Sequence, residues 1–558
     1  MTLSFQRVGA LTAWPENYLP AALPYLQGSG SGALPLLAPG DPPSRGWVGG
    51  GLLANPAALS KRLGGLQGPL FLGPAGPEPG APQSPPEGTT SEQDGGAKAL
   101  VVIDTGIAFW APRFRGRVKG AAALSLGGGG ALHALSQRQI TEIADLAEGP
   151  DGARRAARKL AGLFPGTVFA DDAEHGPVFR HDARSHGTAM AALADDGAAA
   201  IFTLELPAAA LRDRSGDVLA GVLATALHGA LGMIADWAGT RKVEVTAVLS
   251  YGFLGGPHDG SHPAAESLRG ALQAARAQGH DLSLVVPSGN HLQGRVHARL
   301  PDLPAAAFSD AVEWVLPPDD HSPNAVEIVT RGDAPVVALE SPTGATAEIA
   351  LSQGDVVLVR QGAAVIGALH HRPGEDGWHR VRLCLTRTAA GPPDTPVAPE
   401  GAWRIRLGGW SAGLSDIALW ILRDDAPPPG RRIPPTRQST FRDPDYPWDR
   451  TDGGPWTDDS AAGSSKIRRA GTASVLTTAP GVVPVGASET AGPRQMRAFY
   501  SGAPLAEEIE EVLVDAEGPG RGAWAEGNGG PRRYRISGTS VAAALKARSL
   551  LEGAAVDA

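Results

Sequence analysis

Along the chain the spacing of apolar and polar residues changes twice. Over residues 97–304, continuous apolar runs alternate with segments of helical period. Ala99-Leu100-Val101-Val102-Ile103 is apolar without a break and ends in Asp104-Thr105-Gly106. Such a run predicts a strand buried on both faces, as in a parallel sheet. Further strands are predicted over 200–206, 243–249 and 282–287, with helices over 137–147, 152–163, 217–237 and 263–278. Over 305–430 the runs become short and β-rich, at 312–316, 325–330, 336–340, 346–351, 355–360, 378–386, 403–407 and 417–422, with turn residues between them. That pattern predicts an antiparallel sandwich or jelly roll. The α/β character returns over 471–558, with a strand at 482–487, the apolar pair Leu513-Val514, and helix formers following Ser540.

The predicted fold is therefore α/β: a parallel-sheet domain with helices on both faces, interrupted by an all-β insert. Residues 97–304 form its first part, 305–430 the insert, 431–470 a loop-rich connector and 471–558 its second part. Residues 73–96, rich in Pro, Gly, Ser and Glu, read as a linker. Residues 1–72 suggest one short helix at 57–66 and no role.

Composition narrows the function classes. The 558 residues carry a net charge of −9, with both signs mixed along the chain. Nothing resembles a nucleic-acid footprint or a polybasic membrane patch. The lone cysteine, Cys384, excludes an intrachain disulfide and a cysteine zinc cluster. The first twelve residues lack a basic segment followed by an apolar one, and no run of about twenty apolar residues occurs. The expected compartment is the cytoplasm.

Polar residues recur where predicted strands end: Asp104, Ser250 and Asn290. In a parallel sheet these ends share one edge, where ligands bind. A plain turn Asp would look the same as Asp104. Paired-carboxylate proteases also use Asp-Thr-Gly, but no second such motif occurs. His186 opens a predicted helix in Ser185-His186-Gly187-Thr188. Its spacing from His175 and His181 does not fit His-Glu-x-x-His, so no metal site is predicted. The four glycines at 127–130 lack the Lys-Ser/Thr ending of a phosphate loop and read as a turn. Ser540, two residues after Gly538, stands at a predicted helix N-terminus, beside backbone N–H groups that have no intrahelical partner. An ordinary N-cap serine has the same local pattern. Serine hydrolysis needs a nucleophile, a base, a carboxylate to orient the base, and donors for the oxyanion. Ser540, His186, Asp104 and Asn290 are of the right types.

Val102-Ile103-Asp104-Thr105-Gly106-Ile107, Ser185-His186-Gly187-Thr188 and Ser537-Gly538-Thr539-Ser540-Val541-Ala542-Ala543 together resemble the subtilisin-like serine peptidases. Ser250-Tyr251-Gly252 and Pro287-Ser288-Gly289-Asn290 support the resemblance, which covers about half the chain. The order Asp…His…Ser is that of subtilisin itself. The resemblance implies a triad of Asp104, His186 and Ser540. It implies an oxyanion hole of Asn290 with the Ser540 N–H, and a substrate-lining role for Ser250, Tyr251, Gly252, Ser288 and Gly289. Ala189 stands where the family commonly has a second His, Ala192 where it has Gly, and Ala544 where it has Pro. Residues 1–96 do not resemble the family's inhibitory prodomain.

The expected function is a serine endopeptidase acting on polypeptides through an acyl-enzyme. No cofactor is expected, and structural calcium stays open. The competing expectation is a catalytically silent fold that binds peptides or a partner protein, with the β-rich insert as the docking surface. Hydrolysis of other esters or amides is a third reading, disfavoured by the strand-like edge at Ser250 to Gly252.

Overall fold

The computed structural model describes residues 2–10, 97–124, 132–149, 151–164, 185–206, 217–352, 354–374, 376–390, 396–423, 437–446, 456, 458, 465–491, 494–505, 509–516, 523–527 and 530–553. The segments read from sequence at 57–66, 73–96 and 127–130, with His175 and His181, lie outside the described residues.

The N-terminal strand β1 (Leu3–Ala10) precedes the first strands of the α/β domain: β2 (Ala97–Asp104), β3 (Val118–Leu124), β4 (Leu132–Ala134), β5 (Ala200–Glu205), β6 (Val243–Leu249) and β7 (Asp281–Pro287). Helices α1 (Gln137–Leu146), α2 (Gly152–Leu163), α3 (His186–Ala194), α4 (Asp217–Ala238) and α5 (Pro263–Ala277) separate them. The all-β part follows as β8 (His297–Arg299), β9 (Val312–Leu316), β10 (Asn324–Gly332), β11 (Val336–Glu340), β12 (Thr346–Ala350), β13 (Asp355–Gln361), β14 (Ala364–Pro373), β15 (Trp378–Leu385), β16 (Gly401–Gly408), β17 (Leu414–Ile421) and β18 (Thr440–Arg442). The chain then returns with β19 (Val482–Ala491), β20 (Arg494–Arg497), β21 (Val512–Asp515), β22 (Ala523–Gly527), β23 (Gly530–Ile536) and α6 (Thr539–Leu551).

The α/β sheet runs β20-β19-β7-β6-β2-β5-β3-β4, with β21 also on β19. Every pairing from β19 through β3 is parallel, as is β19 with β21, while β4 and β20 add antiparallel edges. Alternate residues of β2 fall into different cores, as a strand covered on both faces requires. Leu100 and Val102 pack with α1, α2, α3 and α6. Ala99, Val101 and Ile103 pack with α4 and α5.

The all-β part is a sandwich of two antiparallel sheets, β1-β13-β14-β15-β10-β17-β8 and β12-β11-β16-β9-β18. Trp314, Trp403 and Phe441 are wholly buried between them. The sandwich reaches beyond residues 305–430. It recruits β8 before that span, β18 after it, and β1, which pairs antiparallel with β13. Strand β14 has no counterpart among the predicted runs. Gly367, the pair His370-His371 and Pro373 interrupt its apolar pattern, yet His371 is fully buried and Gly367 is forced by a Cβ approach of 2.4 Å to Cys384 O.

The two parts are joined by packed contacts. Leu254, in the loop after β6, enters the sandwich core. His258 from the same loop stacks on Trp420 of β17 at 4.8 Å, and His297 of β8 stacks on Trp420 at 4.7 Å. Buried Glu327 on β10 is ion-paired with Arg380 and with Arg382 at 2.9 Å, beside Gly255.

Candidate active site

Asp104 ends β2 at the carboxyl edge of the parallel strands and is 3 % exposed. Gly106 follows at φ 70°, a left-handed turn that suits glycine. The backbone N–H of Thr105 donates to Asp104 Oδ1 at 2.6 Å. His186 is the first residue of α3, and its Nδ1 lies 2.9 Å from both Asp104 oxygens. A carboxylate on Nδ1 fixes the tautomer and leaves Nε2 as the basic atom.

The sequence Gly187-Thr188 explains why α3 can start here. Gly187 N–H donates to Thr105 O at 3.0 Å and Thr188 N–H to Gly106 O at 3.2 Å. A Cβ on Gly187 would stand 2.6 Å from Ile107 Cγ1 and 2.7 Å from Thr105 O. Thr188 Oγ1 donates to Gly106 O at 3.1 Å and accepts the N–H of Ala108 at 2.8 Å. The helix is therefore bonded directly onto the Asp104 turn.

Burial of the His186 ring opposes its charged form, although 40 % of the side chain stays accessible. The charge of Asp104 and its hydrogen bond outweigh that, while Arg423, just past β17, works against them; the net effect raises the His186 pKa above its ordinary value of 6.5.

Ser540 is the second residue of α6, half-buried, with Gly538 as the N-cap at φ 139°. Helices α3 and α6 pack against each other. Among the described residues no hydrogen bond joins Ser540 to His186. Asn290, exposed, lies three residues past β7. Its Oδ1 accepts the N–H of Thr539 at 3.0 Å and the Thr539 hydroxyl at 3.1 Å. Thr539 Oγ1 in turn accepts the N–H of Gly289 at 2.9 Å.

The residues read as substrate-lining occupy two adjoining segments. Ser250 is buried, and its Oγ has no hydrogen-bond partner among the described residues. Tyr251 is half-buried, 5.2 Å from the Phe253 ring, and Gly252 is exposed. Ser288 is fully buried, its hydroxyl bonded to Val485 O at 3.2 Å and to Glu511. Gly289 is half-exposed at φ 88°. Ser474 ties the segments together: its N–H donates to Ser288 O at 2.7 Å and its Oγ accepts the N–H of Phe253 at 3.2 Å.

Sequence reasoning missed Ser474, Glu511 and Glu205. Ser474 and Glu511 lie in stretches without a motif. Glu205 is a charge between two leucines at the end of a strand, Leu204-Glu205-Leu206, and that was its only visible sign. No group of three or more potential metal-binding side chains occurs among the described residues. No helix among them is long and apolar enough to cross a membrane.

Fold and site together define an α/β protein with an Asp–His pair at the carboxyl edge of its parallel strands and a serine at a helix N-terminus. No family model matches the chain, and no curated protein matches it. Among solved structures it is similar to the Clostridium perfringens CspB protease, at 15 % identity over 81 % of each chain, with a TM-score of 0.48.

Proposed function

We propose that the protein is a subtilisin-like serine endopeptidase. The observation that carries this reading is His186 Nδ1 held 2.9 Å from both oxygens of buried Asp104, at the start of a helix packed against the one that bears Ser540. In this reading Ser540 Oγ attacks the scissile carbonyl as His186 Nε2 takes its proton. Asp104 stabilises the imidazolium, and the Ser540 N–H and Asn290 Nδ2 receive the oxyanion. His186 then returns the proton to the leaving amine, and water repeats the sequence on the acyl-enzyme. The substrate is a polypeptide, lying along the Ser250 and Ser288 segments. A cytoplasmic setting belongs to the same proposal.

One observation favours a second reading, a silent fold that binds peptides. Ser540 and His186 share no hydrogen bond, although such bonds commonly tighten only when substrate is present. Labelling with a fluorophosphonate separates the two. Wild type should label, and Ser540→Ala and His186→Ala should not. A folded wild type that never labels overturns the peptidase reading.

A further inference from the structure

We propose that Glu205 is a positioning residue for the Asp104–His186 pair, gripping the turn on which the His186 helix is seated. The inference rests on the peptidase reading for its catalytic meaning, but its geometry stands alone. Glu205 is 5 % exposed and lies directly beside Asp104 across the parallel β2–β5 pairing. Its Oε1 accepts the N–H of Gly106 at 2.7 Å and its Oε2 the N–H of Ile107 at 2.9 Å.

Those two N–H groups belong to the same two peptide units that receive α3. The unit joining Thr105 to Gly106 gives its N–H to Glu205 and takes the Gly187 N–H on its carbonyl. The unit joining Gly106 to Ile107 gives its N–H to Glu205 and takes the Thr188 N–H on its carbonyl. Each plane is therefore clamped at both ends. The carboxylate fixes one side, and the residues immediately after His186 are fixed on the other. Because a peptide plane is rigid, moving the Glu205 side shifts the His186 side.

The grip needs a carboxylate. A protonated oxygen would bring O–H against N–H, and one of the two bonds would be lost. Burial pushes the Glu205 pKa up, the two amides draw it down and the Asp104 charge raises it, leaving it at about 8. Asp104 is the titratable neighbour on β2 whose charge acts on Glu205, and through it stands His186 on α3. On β3 the residue opposite is Ala123. On α4, packed on β5, the described titratable side chains His228 and Asp236 are exposed to solvent. Proton loss from Glu205 thus tightens the turn in the mildly alkaline range.

The test is an NMR titration from pH 6 to 10 of the full chain, following the Gly106 and Ile107 amides and the His186 ring nitrogens, beside fluorophosphonate labelling rates. In wild type the three residues should share an inflection near pH 8. In Glu205→Gln, which keeps one acceptor oxygen, that inflection should vanish, and labelling at pH 9 should fall about tenfold. No inflection in wild type, or one that survives in Glu205→Gln, overturns the proposal whether or not the protein labels. A shared inflection without labelling at any pH upholds the grip and removes the peptidase reading instead. If the variant does not fold, the wild-type titration alone decides.

Discussion

Asn290 Oδ1 accepts the backbone N–H of Thr539, the residue immediately before Ser540, at 3.0 Å. A backbone N–H needs an acceptor, so this bond fixes which way the amide faces. Nδ2 is left as the donor, near Gly538, where a Cβ would come within 3.4 Å of it. Glycine keeps that approach open. One side chain thus both anchors the start of α6 and offers an N–H beside the serine. Replacing Asn290 by Leu should lower kcat by about 10²–10³, the magnitude known for such a donor in subtilisin, with little change in KM. Steady-state kinetics on a peptide ester checks the split.

The Asp104–His186 contact has two pH consequences of opposite sign. The folded His186 pKa is raised, so the pair's contribution to stability is full below about 6.5 and is lost as pH rises through the folded value. On the peptidase reading activity should run the other way, because the base must be neutral. The rising limb of kcat/KM should lie above pH 6.5. Asp104→Asn should move that limb to lower pH and reduce kcat about 10⁴-fold. A limb that does not move on this substitution contradicts the assignment of His186 as base.

Gly187 is a tight steric point of the site. Gly187→Ala would push Cβ against Ile107 and the Thr105 carbonyl, neither the end of a flexible side chain. We expect a loss of about 1–3 kcal/mol in urea unfolding, and a larger relative loss in fluorophosphonate labelling, since the shift displaces His186. Equal stability and labelling to wild type would show that α3 can move away freely.

Glu327 is 1 % exposed at the side chain and faces Arg380 and Arg382. Burial alone would raise its pKa, but the two guanidinium groups pull it well below the usual carboxylate range. Its contribution to stability is present above the unfolded pKa of about 4.3 and is lost as pH falls toward the folded value. Glu327→Gln removes the buried carboxylate that faces Arg380 and Arg382 and should cost about 3–5 kcal/mol. Calorimetry near neutral pH reads it directly.

The stack of His258, Trp420 and His297 adds a second acid-sensitive contact. Burial pushes the His258 pKa down to about 4 and that of His297 down to about 3. Both rings stay neutral in the fold where the unfolded chain would charge them. Stability should therefore fall as pH drops from about 6.5 toward 4. Replacing both histidines by Phe should flatten that slope in urea midpoints measured across the range.

The parallel core was legible because strands covered on both faces are continuous apolar runs, and Ala99 to Ile103 is such a run. The turn at Gly106 and the close approach at Gly187 were visible as glycines beside the chemistry-bearing residues. Other features carried no local sign. Strand β1 finds its partner at Leu3 to Gln361 through long-range pairing, which no local pattern encodes. Strand β14 was hidden because two buried histidines and a glycine look like a loop. Glu205 drew no attention within its predicted strand, since only the structure reveals which amides its carboxyl meets.

The order in which the chain supplies these parts bears on how the protein comes into being. Asp104, His186 and Glu205 are made early, whereas Asn290 is separated from Thr539 by the sandwich strands β8 to β18. During synthesis the first half of the parallel sheet waits for β19 and α6, and β1 waits for β13. Loops this long close slowly and cost entropy before their contacts reward them. The early half must therefore spend the interval with its α6-facing apolar surface uncovered, the condition in which folding intermediates aggregate. The same delay means that, on the peptidase reading, a nascent chain carries its base long before its nucleophile. On the peptidase reading, an emerging polypeptide of this sequence cannot cut itself or its neighbours until α6 docks.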